Sequence, residues 1–387
     1  KLAKYYLEVR ALEQAAQIAD RLLTSQPDHV QAKAIKIAGV ALSGNMKGAV
    51  EQAEKLVAGA PAEIDAVLLV VSLYTSTQRS VDAMPYLRRA LEVNPTNLEL
   101  LDALATTSIK LGRTADAEST LDQIARLEPT ILTHRLRQAA FYDQLQQYDK
   151  AESILQDAVR LEPEDERRRV ALAEYAGKRR GFEAAEAALK QAKNELPRAG
   201  KLWFALGRLY ESTQRGELAR EVYREIQTEF SGKPEALEAQ VKLAGMDWLV
   251  GKTDEAERQI EAVLKDNSRS SDALMLRGRI ALQRGNGKDA ILDFRSVLKD
   301  QPELTEGHVL LARAHLLAGE PALARESLDR ALTLNPMMLE AQTMLVGLDA
   351  AAGQLKEAKQ RRIPALDELL DGVSVGVEII NRLRALR

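Results

Sequence analysis

The 387-residue sequence predicts an all-α protein, a right-handed α-solenoid superhelix of stacked helix-turn-helix units. Three observations carry that expectation. Prolines recur at Pro27, Pro61, Pro95, Pro129, Pro163 and Pro197, each 34 residues after the last. Twelve residues before each of those prolines stands an alanine, and the same register holds to the end of the chain: Ala15, Ala49, Ala83, Ala117, Ala151, Ala185, Ala219, Ala256, Ala290, Ala324 and Ala358. Between these markers the apolar residues follow helical spacing, as in Leu202, Ala205, Leu206, Leu209 and Tyr210, then Leu218, Ala219, Val222, Tyr223 and Ile226.

Each element of a unit has a physical reason. A methyl group is the largest side chain that lets two helices approach closely, so the alanine register marks where the helices of a unit cross. Glycine lies five residues before many of these alanines, at Gly44, Gly112, Gly251, Gly285, Gly319 and Gly353, where it ends the first helix and supplies a permissive turn. Neither amphipathic helix can bury its apolar seam alone, so the units must stack, and stacking creates an extended concave face. The proline spacing resumes from Pro234 through Ser268 to Pro302 and Pro336 after one 37-residue interval, which places three extra residues near Gln227 to Lys233.

Composition agrees with a repeat array. The chain is too long for one ordinary compact domain, aromatics are only 4%, and 29% of residues are charged, which suits narrow apolar seams with wet outer faces. The net charge of −3, from 54 basic and 57 acidic residues, creates no field that would draw the protein onto nucleic acid or an acidic membrane. With no cysteine there are no disulfides, thiol nucleophiles or cysteine-based metal sites. The longest apolar stretch, near Val67 to Val71, is far shorter than the roughly 20 residues of a membrane span. The start at Lys1 is read as that of a fragment.

The pattern resembles the tetratricopeptide repeat (TPR) superfamily, most closely between Gly200 and Pro234, where Trp203, Leu206, Gly207, Tyr210, Ala219, Tyr223 and Pro234 stand at the family's signature positions. The small position of the first helix reads Ala105, Ala139, Ala173, Gly207, Ala244, Gly278 and Ala312, drifting to Ile37, Val71 and Val346 near the ends. Units begin at Val30, Ile64, Leu98, Leu132, Glu166, Gly200, Leu237, Ser271, Thr305 and Leu339. The expected organisation is a partial unit over 1–29, about ten units over 30–363, and a capping helix or linker over 364–387, because Pro364, Gly372 and Gly376 break the pattern and Ile379, Ile380, Leu383 and Leu386 resume helical spacing.

Chemistry-bearing motifs are scarce. His29, His134, His308 and His315 belong to no metal-binding or triad pattern; His308 and His315 occupy the family's tryptophan and tyrosine packing positions. No glycine-rich phosphate loop or nucleophile elbow occurs, and Glu164 and Asp165 sit where a helix start favours acids. The protein is therefore expected to be no enzyme and to need no metal or cofactor. The clusters Arg167–Arg169 and Lys178–Arg180, interleaved with acids and lacking aromatic platforms, read as a solvated face.

The resemblance implies that a partner docks on the concave face, at positions 2, 5, 9 and 12 of each unit's first helix. There Arg208, Arg279 and Arg313 at position 9, with Gly245 between the first two, Trp248 at position 12 and Lys201 at position 2, together with Lys242 nearby at position 6, form a candidate basic, partly aromatic stripe for an acidic peptide, anionic polymer or glycan. The competing expectation pairs those arginines with Asp272, Glu306 and Glu238 on neighbouring helices. The two-carboxylate clamp of chaperone-binding members is not matched, since its positions hold Ala34, Ala38, Leu69, Glu99 and Ala103. The implied function is a protein-binding scaffold, similar in overall style to bacterial cell-envelope scaffolds, including periplasmic subunits of exopolysaccharide secretion machines; the alternatives are direct glycan handling, the regulatory half of a larger enzyme, and self-association through an exposed terminal repeat.

Overall fold

The computed structural model describes residues 2–8 and 11–353, and the expectations for Ala358 and for 364–387 lie outside them. Among the described residues the chain is all-α, a solenoid of antiparallel helix pairs with no strand. It forms two compact units, 1–188 and 189–387, divided within one helix. The first holds α1 (Leu2–Glu8), α2 (Leu12–Ser25), α3 (Val30–Leu42), α4 (Met46–Gly59), α5 (Ile64–Ser76), α6 (Ser80–Val93), α7 (Leu98–Lys110), α8 (Thr114–Leu127), α9 (Leu132–Gln144), α10 (Tyr148–Leu161) and α11 (Glu166–Arg180). After α12 (Phe182–Glu195), the second holds α13 (Gly200–Ser212), α14 (Gly216–Glu229), α15 (Pro234–Leu249), α16 (Thr253–Asp266), α17 (Ser271–Gln283), α18 (Gly287–Asp300), α19 (Thr305–Leu317), α20 (Pro321–Leu334) and α21 (Leu339–Ala351).

Within each unit a helix packs on its chain neighbours, and first helices of successive repeats also touch, as α15 does α17 and α17 does α19. That leaves the first helices forming one face. The turn inside each pair needs a residue in the left-handed region, and Gly44, Gly112, Gly181, Gly251, Gly285, Gly319 and Gly353 provide it at φ between 67° and 97°. Where glycine is absent the same register forces Gln78, Gln146 and Gln214 to φ near 60°.

The loop between repeats has its own fastener. The fourth residue of the first helix donates a side-chain N–H to the carbonyl of the proline six residues earlier: Trp203 to Pro197 at 3.0 Å, Arg169 to Pro163 at 2.9 Å, His308 to Pro302 at 2.9 Å and Gln342 to Pro336 at 2.6 Å. Proline presets the turn, and a nearby donor satisfies a carbonyl that no helix uses. His308 is thus bonded through its ring, and His315 is buried with Nδ1 2.6 Å from Glu320 Oε2.

Two expectations are corrected here. The three extra residues do not lengthen the connection after α14; the four-residue loop 230–233 matches its counterparts, and the insertion instead extends the start of α15 to 16 residues, with Pro234 at its first position where no N–H is needed. The clusters around Arg168 and Arg179 are not simply a solvated face. Arg168 is 1% exposed and ties three segments together, donating to the carbonyls of Ala158 and Thr130 and to Glu162. Its neighbours are engaged too: Lys178 with Asp143, Arg180 with Glu152, and Arg179 over the Tyr148 ring.

Position 8 of the first helix and position 24, on the second, share a fixed volume. Gly207 lies so close to Tyr223 that a Cβ would meet the ring at 2.6 Å, and Gly278 stands in the same relation to Phe294. Where position 8 is alanine (Ala105, Ala139, Ala244, Ala312), position 24 holds Leu121, Leu155, Ile260 or Leu328; where it is Ile37, position 24 shrinks to Ala53. Close packing makes these choices interdependent. Gly278→Ala should therefore destabilise its repeat by about 1–3 kcal/mol despite better helix propensity, and adding Phe294→Leu should recover most of the loss; a double-mutant cycle by thermal unfolding checks this, and additive effects would refute it.

Candidate functional site

The face formed by α13, α15, α17 and α19 carries all six residues of the candidate stripe, and the structure shows how differently they are employed. Arg279 reaches Glu306 at 2.5 Å, fulfilling the pairing expected of it, while Arg313 takes Glu340. These two arginines, at position 9 of their repeats, thus meet the acid at position 2 of the next. Lys201, on α13, is likewise engaged. Arg208 has no carboxylate within ion-pairing distance among the described residues but pulls electrostatically on Glu238, the acid in the matching register. The stripe is in large part a set of internal ion pairs, and its net positive charge is small.

Lys242, Trp248 and Arg279 are brought together around one groove of about 300 Å³. Gly245 lines it without a side chain, Val241, Met275 and Leu276 supply apolar surface, and Glu211 and Asp272 add two carboxylates that sequence reasoning did not assign to it. Trp248 is half-buried and its indole N–H is fixed by Gln283 Oε1. Beside it Leu249, at the end of α15, is 79% exposed. Below the groove Asp247 is buried and held by Arg220 at 2.8 Å and by Gln259 at 2.7 Å, which fixes the end of α15 that presents Trp248.

Trp203, by contrast, is structural. It is buried, packs edge-on against Phe230, and lies under the Lys193 ammonium at 3.6 Å.

A larger hollow of about 610 Å³ lies between α2, α3 and α4, edged by Lys33, Lys36 and Lys55. Lys33 is paired with Asp28 and Lys36 with Asp20.

A stack of two-helix repeats whose structural positions are filled by small residues, and whose first-helix face is exposed and chemically varied, defines a helical-repeat protein. The chain belongs to the tetratricopeptide repeat superfamily: models of that repeat match residues 74–140, 136–165, 170–234, 250–305 and 288–338, more than half of its length. No curated protein matches the sequence. Among solved structures, the chain is similar to yeast Tom70 (13% identity, 99% of this chain and 93% of that one, TM-score 0.48) and to an IFIT1 monomeric mutant bound to Gppp-AAAA (14%, 84% and 82%, 0.46). It is also similar to Naa15/Naa10 bound to HypK-THB (14%, 92% and 66%, 0.36), so it spans just under two thirds of that chain.

Glu238 reports on the electrostatics of this face. Loss of solvation first, and the Asp272 carboxylate second, push its carboxyl above the ordinary value, while Lys242 and Arg208 pull it down and Glu235 adds to the rise. The folded value therefore exceeds the unfolded one, so ionised Glu238 opposes folding at pH above both, and this penalty vanishes as pH falls below the ordinary carboxylate range. Glu238→Gln should raise the melting temperature at neutral pH and leave it unchanged relative to the parent at acidic pH; a difference that grows on acidification would contradict this.

Proposed function

We propose that this chain is a non-catalytic interaction scaffold that binds a protein or peptide partner along the first-helix face of residues 189–387, where Lys201, Arg208, Lys242, Trp248, Arg279 and Arg313 lie. The observation that carries the reading is the groove at Trp248: an exposed, partly apolar recess with fixed polar groups, on the face that repeat packing leaves free. The positions that build the fold are buried alanines, glycines and leucines, so the exposed positions can vary to suit a partner without cost to the stack. The setting we favour is a bacterial envelope or polysaccharide-secretion assembly, on the style of the array.

Affinity capture with the immobilised chain, compared with an Arg208→Ala, Arg279→Ala, Arg313→Ala and Trp248→Ala variant, tests this. A defined protein partner should be retained by the parent and lost by the variant, whose melting temperature should fall only modestly, because exposed ion pairs contribute about 0–1 kcal/mol each. Retention of anionic polysaccharide with no protein would replace the reading by direct polymer binding, and undiminished protein capture would move the interface off this face.

A further inference from the structure

From α15 onward the ion pairs across the first-helix face form a ladder whose first rung is missing, while before it Arg208 and Glu238, 30 residues apart rather than 27, are not bonded. Position 9 reads Arg208, Gly245, Arg279 and Arg313 on α13, α15, α17 and α19, and position 2 of each following repeat reads Glu238, Asp272, Glu306 and Glu340. Arg279 and Glu306 are 27 residues apart in sequence and bonded; Arg313 and Glu340 have the same separation and are also bonded. Gly245 and Asp272 are again 27 residues apart, but glycine brings no cation. Among the described residues Asp272 has no ion-pair partner.

The missing side chain leaves room as well as charge. A Cβ at Gly245 would meet only Leu276 Cδ2, at an ordinary 3.8 Å, and the groove of about 300 Å³ opens beside it. Arg279, one of its two cationic wall residues, is already neutralised by Glu306. The remaining charged groups of the lining are Glu211, Asp272 and Lys242, two carboxylates against one ammonium, so the recess is electronegative within a stripe that looks basic in sequence. Along its length the Trp248 ring, Met275 and Leu276 offer the surface on which an aliphatic or guanidinium stem packs.

We propose that this groove receives one basic side chain, an arginine or lysine of a protein partner, which takes the place of the absent position-9 arginine with its stem against Trp248 and its charge on Asp272. Glu211 supplies the second acceptor. The inference rests on the first-helix face being the partner surface and gives that surface a required chemistry, opposite in sign to an acidic ligand. Arginine fits best, since its planar fork can stack on the indole and still address a carboxylate.

The test uses the full chain and three small probes: butylguanidinium, its neutral counterpart butylurea, and butyrate. The chain has two tryptophans, so its indole N–H resonances are two, and the Trp248 signal is the one lost in Trp248→Phe. Millimolar butylguanidinium should move that signal saturably while butylurea and butyrate do not. Asp272→Asn should weaken the response about tenfold, the scale of one charge-assisted hydrogen bond. Lys242→Gln should strengthen it. Gly245→Arg should abolish it by completing the ladder, with a melting temperature equal to or above the parent's because a helical glycine is replaced. The proposal is overturned by an equal response to butyrate or butylurea, by a response that survives Gly245→Arg, or by no response to butylguanidinium. If the parent chain nevertheless captures a protein partner in the preceding experiment, the scaffold reading stands without the cation site; a parent chain that captures no protein removes the scaffold reading itself.

Discussion

The crossing of the two helices in each repeat, closed on an alanine, is the contact on which everything else depends. Ala15, Ala49, Ala83, Ala117, Ala151, Ala185, Ala219, Ala256, Ala290 and Ala324 are all at most 3% exposed. A methyl there sets the interhelical distance, and that distance sets the volume shared by positions 8 and 24. Dispersion and burial at these small contacts accumulate over the array, so each repeat adds its stability through its neighbours.

This division of labour explains why the groove exists. Inward positions are constrained by volume, as Gly207 with Tyr223 and Gly278 with Phe294 demonstrate. Outward positions on the first helices carry no such constraint, and two of the registers, Arg279 with Glu306 and Arg313 with Glu340, are ion pairs that hold long side chains in order at little net energy. Deleting one arginine from such a ladder costs the fold little. It leaves the Asp272 carboxylate, the Trp248 ring and the open side of Gly245 around one groove, the parts from which the proposed cation site is built. Gly245 is a helical residue with no positive φ and no tight neighbour, so no demand of the fold explains its being glycine.

Much of the architecture was legible in the sequence because it repeats. The alanine register, the glycine turns and the helical spacing each recur, and the helix starts at Val30, Leu98, Gly200 and Ser271 follow from them. The insertion before Pro234 was misplaced because a proline reads as a loop marker, whereas at a helix's first position it extends the helix. Pro85 escapes the same rule, lying inside α6. The site was legible in part. The alternation of Arg208, Gly245, Arg279 and Arg313 is visible in the chain, but the pairing of position 9 with position 2 of the next repeat depends on stacking, so the signs of the free charges were not. Arg168 was read as exposed because composition cannot tell a buried arginine that caps three carbonyl and carboxyl groups from a solvated one.

The most direct test of the alanine crossing as the controlling contact is native-state hydrogen exchange on Ala290→Leu. The substitution places a larger side chain where α17 and α18 close, and overpacking there costs about 1–3 kcal/mol. Amide protection should fall by roughly ten- to a hundredfold in α17 to α19 and stay unchanged in α3 to α6, because stability passes only between neighbours. Unchanged protection in α17 and α18, or an equal loss along the whole chain, would contradict the account.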